Sequence, residues 1–185
     1  MPYSFPTFDA RITKWLRSQK RKNYLDIGVG SGKYGQIIRG LYPKADIVGI
    51  ESEKEYSERF GLNKIYSSIY VGKAEYFFDQ NPNFVTEIAI IGDCLEHLKK
   101  SDGVDLVHDL VHRSHYIVIV WPSKYVQLVW EGHASEVHRS VWTKKDFADF
   151  DHEYWEKDGT NLVIMKGLWE DPQTRMTAEG LACKV

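Results

Sequence analysis

The sequence predicts an α/β protein whose doubly wound, mostly parallel sheet ends in an antiparallel hairpin. Apolar segments alternate with amphipathic segments along most of the chain, which is typical of parallel strands with helices on both faces of the sheet. A glycine-rich loop directly follows the first apolar segment. Near the end, two strand-like segments are separated by a short connection that contains Asp158-Gly159, and this indicates a hairpin.

Seven segments have the composition of buried or half-buried strands. They are short, rich in β-branched and aromatic residues, and bounded by turn-forming residues. The clearest is Tyr-Ile-Val-Ile-Val at residues 116–120, which is followed by Trp121-Pro122. The predicted strands cover residues 24–27, 46–50, 65–71, 88–91, 116–120, 151–155 and 161–166.

Between these strands, apolar residues recur at helical spacing. In residues 34–41, for example, Ile37, Ile38 and Leu41 would share one face. Further helices are predicted at residues 53–60 and 74–78. Another is predicted after an N-cap at Ser101, and the inner face of this helix would carry Val104, Val107, Leu110 and Val111. A last helix is predicted from a capping box of Thr143 and Asp146 as far as Phe150.

Composition limits the class of protein. The chain has 185 residues, of which 43% are hydrophobic and 27% charged, and its formal net charge is −2, so no global field requires a nucleic-acid or membrane partner. Cys94 and Cys183 are far apart, which argues against a disulfide scaffold or zinc module. Without a signal peptide or an apolar run long enough to span a bilayer, we expect a soluble cytoplasmic protein. The expected organisation is a basic helix within residues 1–22, one domain over 23–166 and a polar tail over 167–185.

The glycine loop is the sharpest motif. Gly28, Gly30 and Gly32 follow Asp26 at the end of the first predicted strand. Dinucleotide-binding folds place G-x-G-x-x-G at this point, but the sixth position counted from Gly28 is Lys33, and the pattern matches only when it begins at Gly30, two residues late. An acid at the strand end suits an ammonium group better than a pyrophosphate. A ligand with an amino-acid head, a ribose and a ring would fit, whereas a tight turn without a ligand is the structural alternative.

Glu51 ends the second predicted strand, 21 residues after Gly30. In doubly wound sheets, an acid about 20 residues beyond the glycines reaches the ribose hydroxyls of a nucleoside. Together with the loop, Glu51 therefore predicts a ribose contact.

The run DIGVGSGKYG, followed by GIE, resembles the first two cofactor motifs of class I S-adenosylmethionine-dependent methyltransferases. The runs IIGDCLEHL and YIVIVWP resemble the fourth- and fifth-strand segments of that family, and the resemblance covers about residues 23–166. It implies a Rossmann-like methyltransferase fold that uses S-adenosylmethionine and releases S-adenosylhomocysteine. It also implies that Asp26 and the three loop glycines hold the methionine end and that Glu51 holds the ribose.

One departure from the family concerns the adenine. Many relatives carry Gly-Asp-Ala after the third strand, whereas this chain carries Gly72-Lys73-Ala74. The resemblance therefore assigns the adenine contact to the backbone of Ala74 or to the region of Asp93.

The candidates for chemistry follow the fourth strand. In a helical turn, Asp93, Glu96 and His97 would share one face, where they could hold Mg²⁺ or Mn²⁺ or make His97 a base. The acid-x-x-Glu-His pattern resembles metal-assisted O-methyltransferases, including enzymes that act on RNA 2′-hydroxyls and on quinone precursors. Those enzymes begin the pattern with Glu, and the RNA enzymes add a further His, for which His133 and His138 are the candidates. Because the pattern also occurs in relatives that need no metal, we favour Glu96, His97 and His138 as catalytic residues and assign no metal ligand.

Residues 121–142 are predicted to form a lid over the carboxyl edge of the sheet. Trp121, Tyr125, Trp130 and Trp142 make this segment aromatic, and the run EVHRSVWT resembles an element of uncharacterised family members. Loops at this edge commonly select the substrate. The alternative is that these aromatic residues only pack on the sheet.

The resulting prediction is a methyltransferase that acts on an O or N atom of a small molecule. The alternatives are a metal-assisted RNA 2′-O-methyltransferase, a catalytically inactive methyltransferase-like binding module and a nicotinamide oxidoreductase. Nucleic acid is the less favoured partner, because the basic stripe around Trp15 is also what a solvated helix face would carry. No membrane partner is expected, and the sequence does not determine the oligomeric state.

Overall fold

The structure is a computed structural model that describes residues 2–123 and 126–170. Its strands and helices follow the predicted alternation, and several short 3₁₀ turns lie between them. The strands are β1 Asn23–Ile27, β2 Asp46–Glu51, β3 Ser68–Val71, β4 Thr86–Gly92, β5 Ser114–Pro122, β6 His152–Lys157 and β7 Thr160–Lys166. The helices are α1 Asp9–Gln19, α2 Lys33–Leu41, α3 Lys54–Arg59, α4 Phe77–Gln80 and α5 Lys100–Arg113.

All seven strands form one sheet in the order β3-β2-β1-β4-β5-β7-β6. Strands β1 to β5 pair in parallel, whereas β7 is antiparallel to both β5 and β6. The predicted fold class is therefore confirmed. The strand order reverses between β1 and β4, and in open α/β sheets this is the point at whose carboxyl edge ligands bind.

Helices cover both faces of the sheet. Along β1, Leu25 and Ile27 pack in the core that includes α4 and α5, whereas Tyr24 packs in the core that includes α1 and α2. Ile12 and Leu16 of α1 are fully buried in this second core. Side chains that alternate between two buried faces explain why the central strands are continuously apolar.

The hairpin is tighter than the sequence indicated. Lys157 pairs with Thr160, so only Asp158 and Gly159 form the turn, with φ of 47° and 72°. Positive φ at both turn residues is the geometry of a type I′ turn, which Asp-Gly favours.

Three local predictions were wrong in detail. Helix α5 begins at Lys100 with Lys99 at the N-cap, so Ser101 is no cap, and Val104 is consequently exposed. The capping box of Thr143 exists, but it opens only the 3₁₀ turn Lys144–Phe147. Strand β3 is shorter than predicted because the 3₁₀ turn Leu62–Lys64 precedes it.

No helix in the described part of the chain is long and apolar enough to cross a bilayer. Residues 171–185 of the expected tail and residues 124–125 of the expected lid lie outside the described residues.

Candidate cofactor cleft and active site

A cleft opens at the carboxyl ends of β1, β2 and β4, where the strand order reverses. It consists of two adjoining cavities, and the larger has a volume of about 490 Å³, which is within the range of small-molecule sites. The two cavities share the walls Gly28, Ser52, Cys94, His97 and Ser135.

The glycine loop forms the floor of the smaller cavity. Gly28, Gly30 and Gly32 all have positive φ, at 73°, 50° and 81°, a backbone conformation that residues other than glycine rarely adopt. A Cβ at Gly28 would lie 2.5 Å from the Sγ of Cys94, so the loop packs directly against the end of β4. Gly28 and Gly30 line the cavity, whereas Gly32 is the N-cap of α2 and packs on Leu62.

The N-terminal segment covers this loop, which the sequence did not indicate. The N–H of Ser31 donates to the carbonyl oxygen of Pro2 at 2.8 Å. A Cβ at Gly30 would approach that oxygen to 2.6 Å, so the two backbones are in close contact. Pro2 and Ser4 consequently become walls of the smaller cavity.

Glu51 lies at the end of β2 with its carboxylate in the wall of the same cavity. One carboxylate oxygen accepts a hydrogen bond from the N–H of Gly30 and the other from the N–H of Glu53, both at 2.8 Å. Burial raises the pKa of this carboxyl above its usual value, although the two N–H donors oppose the shift. Glu51 thus ties the glycine loop to β2 and keeps further lone pairs for a ligand in the cavity.

Asp26 does not reach the cleft. Its carboxylate accepts a hydrogen bond from the hydroxyl of Tyr66, at 2.5 Å. Burial raises its pKa to about 7. Side chains alternate along β1, and that of Asp26 lies on the α2 side with Tyr24. The expected contact of Asp26 with a ligand ammonium group stays a prediction, because in this structure the side chain bonds to Tyr66 and lines neither cavity of the cleft.

The expected adenine contacts separate in the structure. Gly72, Lys73 and Ala74 line the larger cavity, and Ala74 begins the 3₁₀ turn Ala74–Tyr76. Of the two cavities of the cleft, Asp93 lines only the smaller. Of the two residues that the sequence offers for the adenine contact, Ala74 therefore lines the larger cavity and Asp93 does not.

The catalytic candidates come together as an acid–histidine cluster of Asp93, Glu96, His97 and His138. All four line a small third cavity beside the cleft. Glu96 and His97 lie on the 3₁₀ turn Leu95–His97 after β4, and His138 comes from the lid. The rings of His97 and His138 meet edge to face with centroids 4.8 Å apart, and Nε2 of His138 lies 4.0 Å from Oε1 of Glu96.

Three buried polar atoms of this cluster have no hydrogen-bond partner among the described residues. They are Oδ2 of Asp93, Oε2 of Glu96 and Nδ1 of His97. Burial, with the nearby charge of Asp93, raises the pKa of Glu96 well above its usual value, and burial lowers the pKa of His97 to about 4. Unpaired buried polar atoms are costly, so the cluster is suited to a cation or to polar groups of a substrate.

The lid of described residues 126–142 is docked on α3. The carboxylate of Glu53 accepts a hydrogen bond from the hydroxyl of Ser135 and contacts Nδ1 of His133 at 2.9 Å, and the hydroxyl of Tyr56 donates to Glu136 at 2.9 Å. His133 is therefore engaged by Glu53. Of the two histidines considered for the cluster, the structure brings only His138 there.

Two of the predicted lid tryptophans belong to the core. Trp121 lies within β5, and the indole of Trp121 donates to the carbonyl of Trp142 at 3.0 Å. Both side chains are buried beside Phe147. For these two residues the packing alternative is correct, and the lid proper begins after β5.

No protein-family model and no curated protein matches the sequence. Solved structures do match. An O-methyltransferase family protein from Burkholderia thailandensis superposes with a TM-score of 0.63 at 9% identity, over 89% of this chain and 57% of that one. The methyltransferase domain of bacterial CtHen1 gives 0.62 at 16% identity, over 87% of this chain and 98% of that one. The chain has the class I methyltransferase fold.

A third structure with the class I methyltransferase fold was solved with its ligand. The plantazolicin methyltransferase BpumL, in complex with S-adenosylhomocysteine, superposes with a TM-score of 0.60 at 15% identity, over 84% of this chain and 81% of that one. This chain spans 57% of the Burkholderia protein and nearly the whole CtHen1 domain.

Proposed function

We propose that this protein is an S-adenosylmethionine-dependent methyltransferase that transfers a methyl group to an O or N atom of a small molecule. The observation that carries the proposal is the buried carboxylate of Glu51, which lines the cleft at the end of β2 and holds the glycine loop through Gly30. An acid in this position is suited to the paired hydroxyls of a ribose. The ligand of the BpumL structure, which has the same fold, contains such a ribose.

The cleft walls fit the three parts of the cofactor. The methionine end would lie on the loop at Gly28 and Gly30, the ribose at Glu51, and the adenine against the backbone of Ala74. The cofactor supplies an electrophilic methyl group on a sulfonium. The chain supplies orientation, exclusion of water by the docked lid, and a polar cluster where the acceptor would lie.

In this proposal, His97 is the residue that acts on the acceptor. It lies at the junction of the two cavities and of the acid–histidine cluster. Its imidazole is neutral at neutral pH because burial lowers its pKa. A ring nitrogen of a neutral imidazole can accept a hydrogen bond from the hydroxyl or amine of an acceptor and so orient it.

A nicotinamide cofactor fits less well. The dinucleotide-binding fold has the strand order 3-2-1-4-5-6, whereas here the antiparallel β7 is inserted between β5 and β6. The glycine register also departs from G-x-G-x-x-G after β1. Both features favour the methyltransferase interpretation.

The test is calorimetric titration of the full chain with S-adenosylhomocysteine and with NAD, followed by transfer of label from methyl-tritiated S-adenosylmethionine to a panel of small phenols, carboxylates and amines. We expect S-adenosylhomocysteine to bind and NAD not to bind, with label transferred to at least one acceptor. Binding without transfer would favour a catalytically inactive binding module instead. The proposal would be overturned if neither S-adenosylhomocysteine nor S-adenosylmethionine bound to the chain.

A second candidate function is metal-assisted methylation of an RNA 2′-hydroxyl, and the acid–histidine cluster favours it. A carboxylate oxygen of Glu96 and one ring nitrogen each of His97 and His138 all lie within 4.8 Å of one another. Two of these residues contribute orphaned buried atoms, so the donor set fits a divalent cation, and mixed carboxylate and imidazole ligands suit Mn²⁺ better than Mg²⁺. A cation here would act as a Lewis acid toward an acceptor oxygen.

This second candidate has its own experiment. Mn²⁺ is titrated calorimetrically into the full chain and into Glu96→Gln and His138→Ala, and label transfer to a short single-stranded RNA is measured with Mn²⁺ or with EDTA. We expect Mn²⁺ binding that both substitutions weaken at least about tenfold, and RNA labelling that EDTA abolishes. Labelling of small acceptors that persists in EDTA would instead favour the metal-free enzyme.

A further inference from the structure

The N-terminal residues 2–5 cross the mouth of the cleft in a fixed position. At one end, the carbonyl oxygen of Pro2 accepts the N–H of Ser31 at 2.8 Å. At the other end, Nζ of Lys33 donates to the carbonyl oxygen of Phe5 at 2.7 Å. Both partners belong to the glycine loop or to the first turn of α2, so the segment is attached to the same structure that forms the floor of the cleft.

The two aromatic side chains of this segment border the acid–histidine cluster. Tyr3 and Phe5 line the small cavity together with Glu96, His97 and His138. Both rings remain about half exposed, at 52% and 49%. Both side chains are therefore partly open to solvent and lie beside the catalytic candidates.

Further contacts hold these rings in place. The ring of Tyr3 meets that of Phe60 edge to face, with centroids 5.7 Å apart. Ser4, which lies between Tyr3 and Phe5 in the sequence, lines the smaller cavity of the cleft together with Asp93. The rings are thus pre-positioned over a polar cavity, and such a surface binds a flat ring at a small loss of conformational entropy.

Other exposed apolar residues lack this placement. Val126, Leu128 and Val129 of the lid are more exposed than Tyr3, but they line none of the cavities of the cleft. Exposure alone therefore does not distinguish Tyr3 and Phe5. Their position beside the catalytic candidates does.

We propose that Tyr3 and Phe5 form the acceptor-binding platform of this protein, and that the methyl acceptor carries a planar aromatic ring which stacks on them. The ring is either a nucleobase or a phenol, since both offer the same flat π face. The inference rests on the proposed methyltransferase function, because the acceptor must meet the transferable methyl group beside the cluster. It goes beyond that function by naming the acceptor's chemical class and the residues that select it.

The experiment titrates the full chain, saturated with S-adenosylhomocysteine, with catechol in one arm and with a single-stranded RNA trinucleotide in the other. The variants are the double substitution Tyr3→Ala/Phe5→Ala, the ring-retaining Tyr3→Phe/Phe5→Tyr, and Leu128→Ala as a control for loss of an exposed apolar side chain. We expect one probe to bind and the double alanine variant to bind it about tenfold or more weakly, as loss of ring stacking predicts. The ring-retaining variant and the control should bind within about twofold of the wild type.

The outcomes separate this inference from the function on which it rests. A separate titration of the free chain with S-adenosylhomocysteine precedes the probe titrations, and failure of this cofactor product to bind would remove the proposed function and this inference together. If the cofactor product binds, unchanged probe affinity in the double alanine variant would refute the platform alone. Failure of both probes to bind the wild-type protein would refute it as well. Whichever probe binds identifies the source of the ring.

Discussion

At the scale of single residues, Asp26 and Glu51 show how neighbouring strand-end acids acquire different roles. Both are nearly fully buried, and burial raises the pKa of each. Asp26 faces α2 and is bonded to Tyr66, whereas Glu51 faces the cleft and is bonded to the N–H of Gly30. Of these two acids, only Glu51 lines the cleft.

Replacement of Glu51 tests this placement. Glu51→Gln keeps the size of the side chain but removes one acceptor and the charge, so the affinity for S-adenosylhomocysteine should fall by about 1–3 kcal/mol. Titration calorimetry measures the change. Glu55→Gln, at an exposed position on α3, is the matched control and should bind as the wild type does. An unchanged affinity in Glu51→Gln would exclude a ribose contact by this residue.

Asp26 makes a prediction about pH. Because its pKa in the folded protein is about 7, against about 4 in an unfolded chain, the unfolded state releases its proton first as the pH rises. The free energy of unfolding should therefore decrease between pH 4 and 7 by up to a few kcal/mol through this group, and change no further above pH 7. In Asp26→Asn, which cannot titrate, this decrease should be absent.

Urea unfolding of both proteins across this pH range measures the difference. Asp46→Asn, an exposed carboxyl at the start of β2, controls for the loss of one negative charge. If the wild type and Asp26→Asn have parallel pH profiles, the carboxyl is ionised in the folded protein at neutral pH.

At the scale of elements, the lid is attached to α3 by side chains rather than by the sheet. Glu53 is the N-cap residue of α3, and its carboxylate accepts a hydrogen bond from the hydroxyl of Ser135 and contacts Nδ1 of His133. Both Ser135 and His133 belong to the lid. A second contact, between Arg59 and Glu131, has a separation of 2.6 Å but is about half exposed. Exposed ion pairs contribute little, so the attachment should depend on Glu53 and on the buried hydrogen bond from Tyr56 to Glu136.

Glu53→Gln should accordingly loosen the lid. We expect faster dissociation of S-adenosylhomocysteine, by several-fold, and faster hydrogen exchange in residues 133–136, because the charged acceptor for two lid side chains is lost. Stopped-flow tryptophan fluorescence and exchange mass spectrometry measure these rates. Glu131→Gln, which removes only the exposed pair, should leave both rates nearly unchanged. Equal effects of the two substitutions would contradict a specific role for Glu53.

At the scale of the whole molecule, the site is assembled from segments far apart in the sequence. The N-terminal segment, the glycine loop, the turn after β4 and the lid meet at one edge of the sheet. The hairpin turn Asp158-Gly159 contributes to neither of the two cavities of the cleft. A ligand in the cleft should therefore stabilise the molecule by binding the native state alone.

S-adenosylhomocysteine at about 100 times its dissociation constant should add about 2.7 kcal/mol, which for a chain of this size raises the Tm by about 5–10 °C. Differential scanning calorimetry over a concentration series checks the logarithmic dependence. Hydrogen exchange should slow locally at the glycine loop and the lid, where the ligand makes contact. A rise in Tm without that protection would indicate binding elsewhere.

The sequence by itself determined the alternation of strands and helices, the glycine loop and the closing hairpin. These features depend on short-range rules: periodicity, positive φ at glycine, and the pairing of adjacent segments. The strand-end position of Glu51 was predictable for the same reason, since it follows from its spacing to Gly30.

Tertiary structure alone decided which side chains share the site. Asp26 turns toward Tyr66, 40 residues away, His138 rather than His133 joins the cluster, and the N-terminal residues lie on the glycine loop. None of these contacts leaves a local pattern, because each depends on the face of an element and on the path of a loop across the folded sheet. Spacing along the chain fixes which residues reach the carboxyl edge, but only packing fixes the direction in which each side chain points.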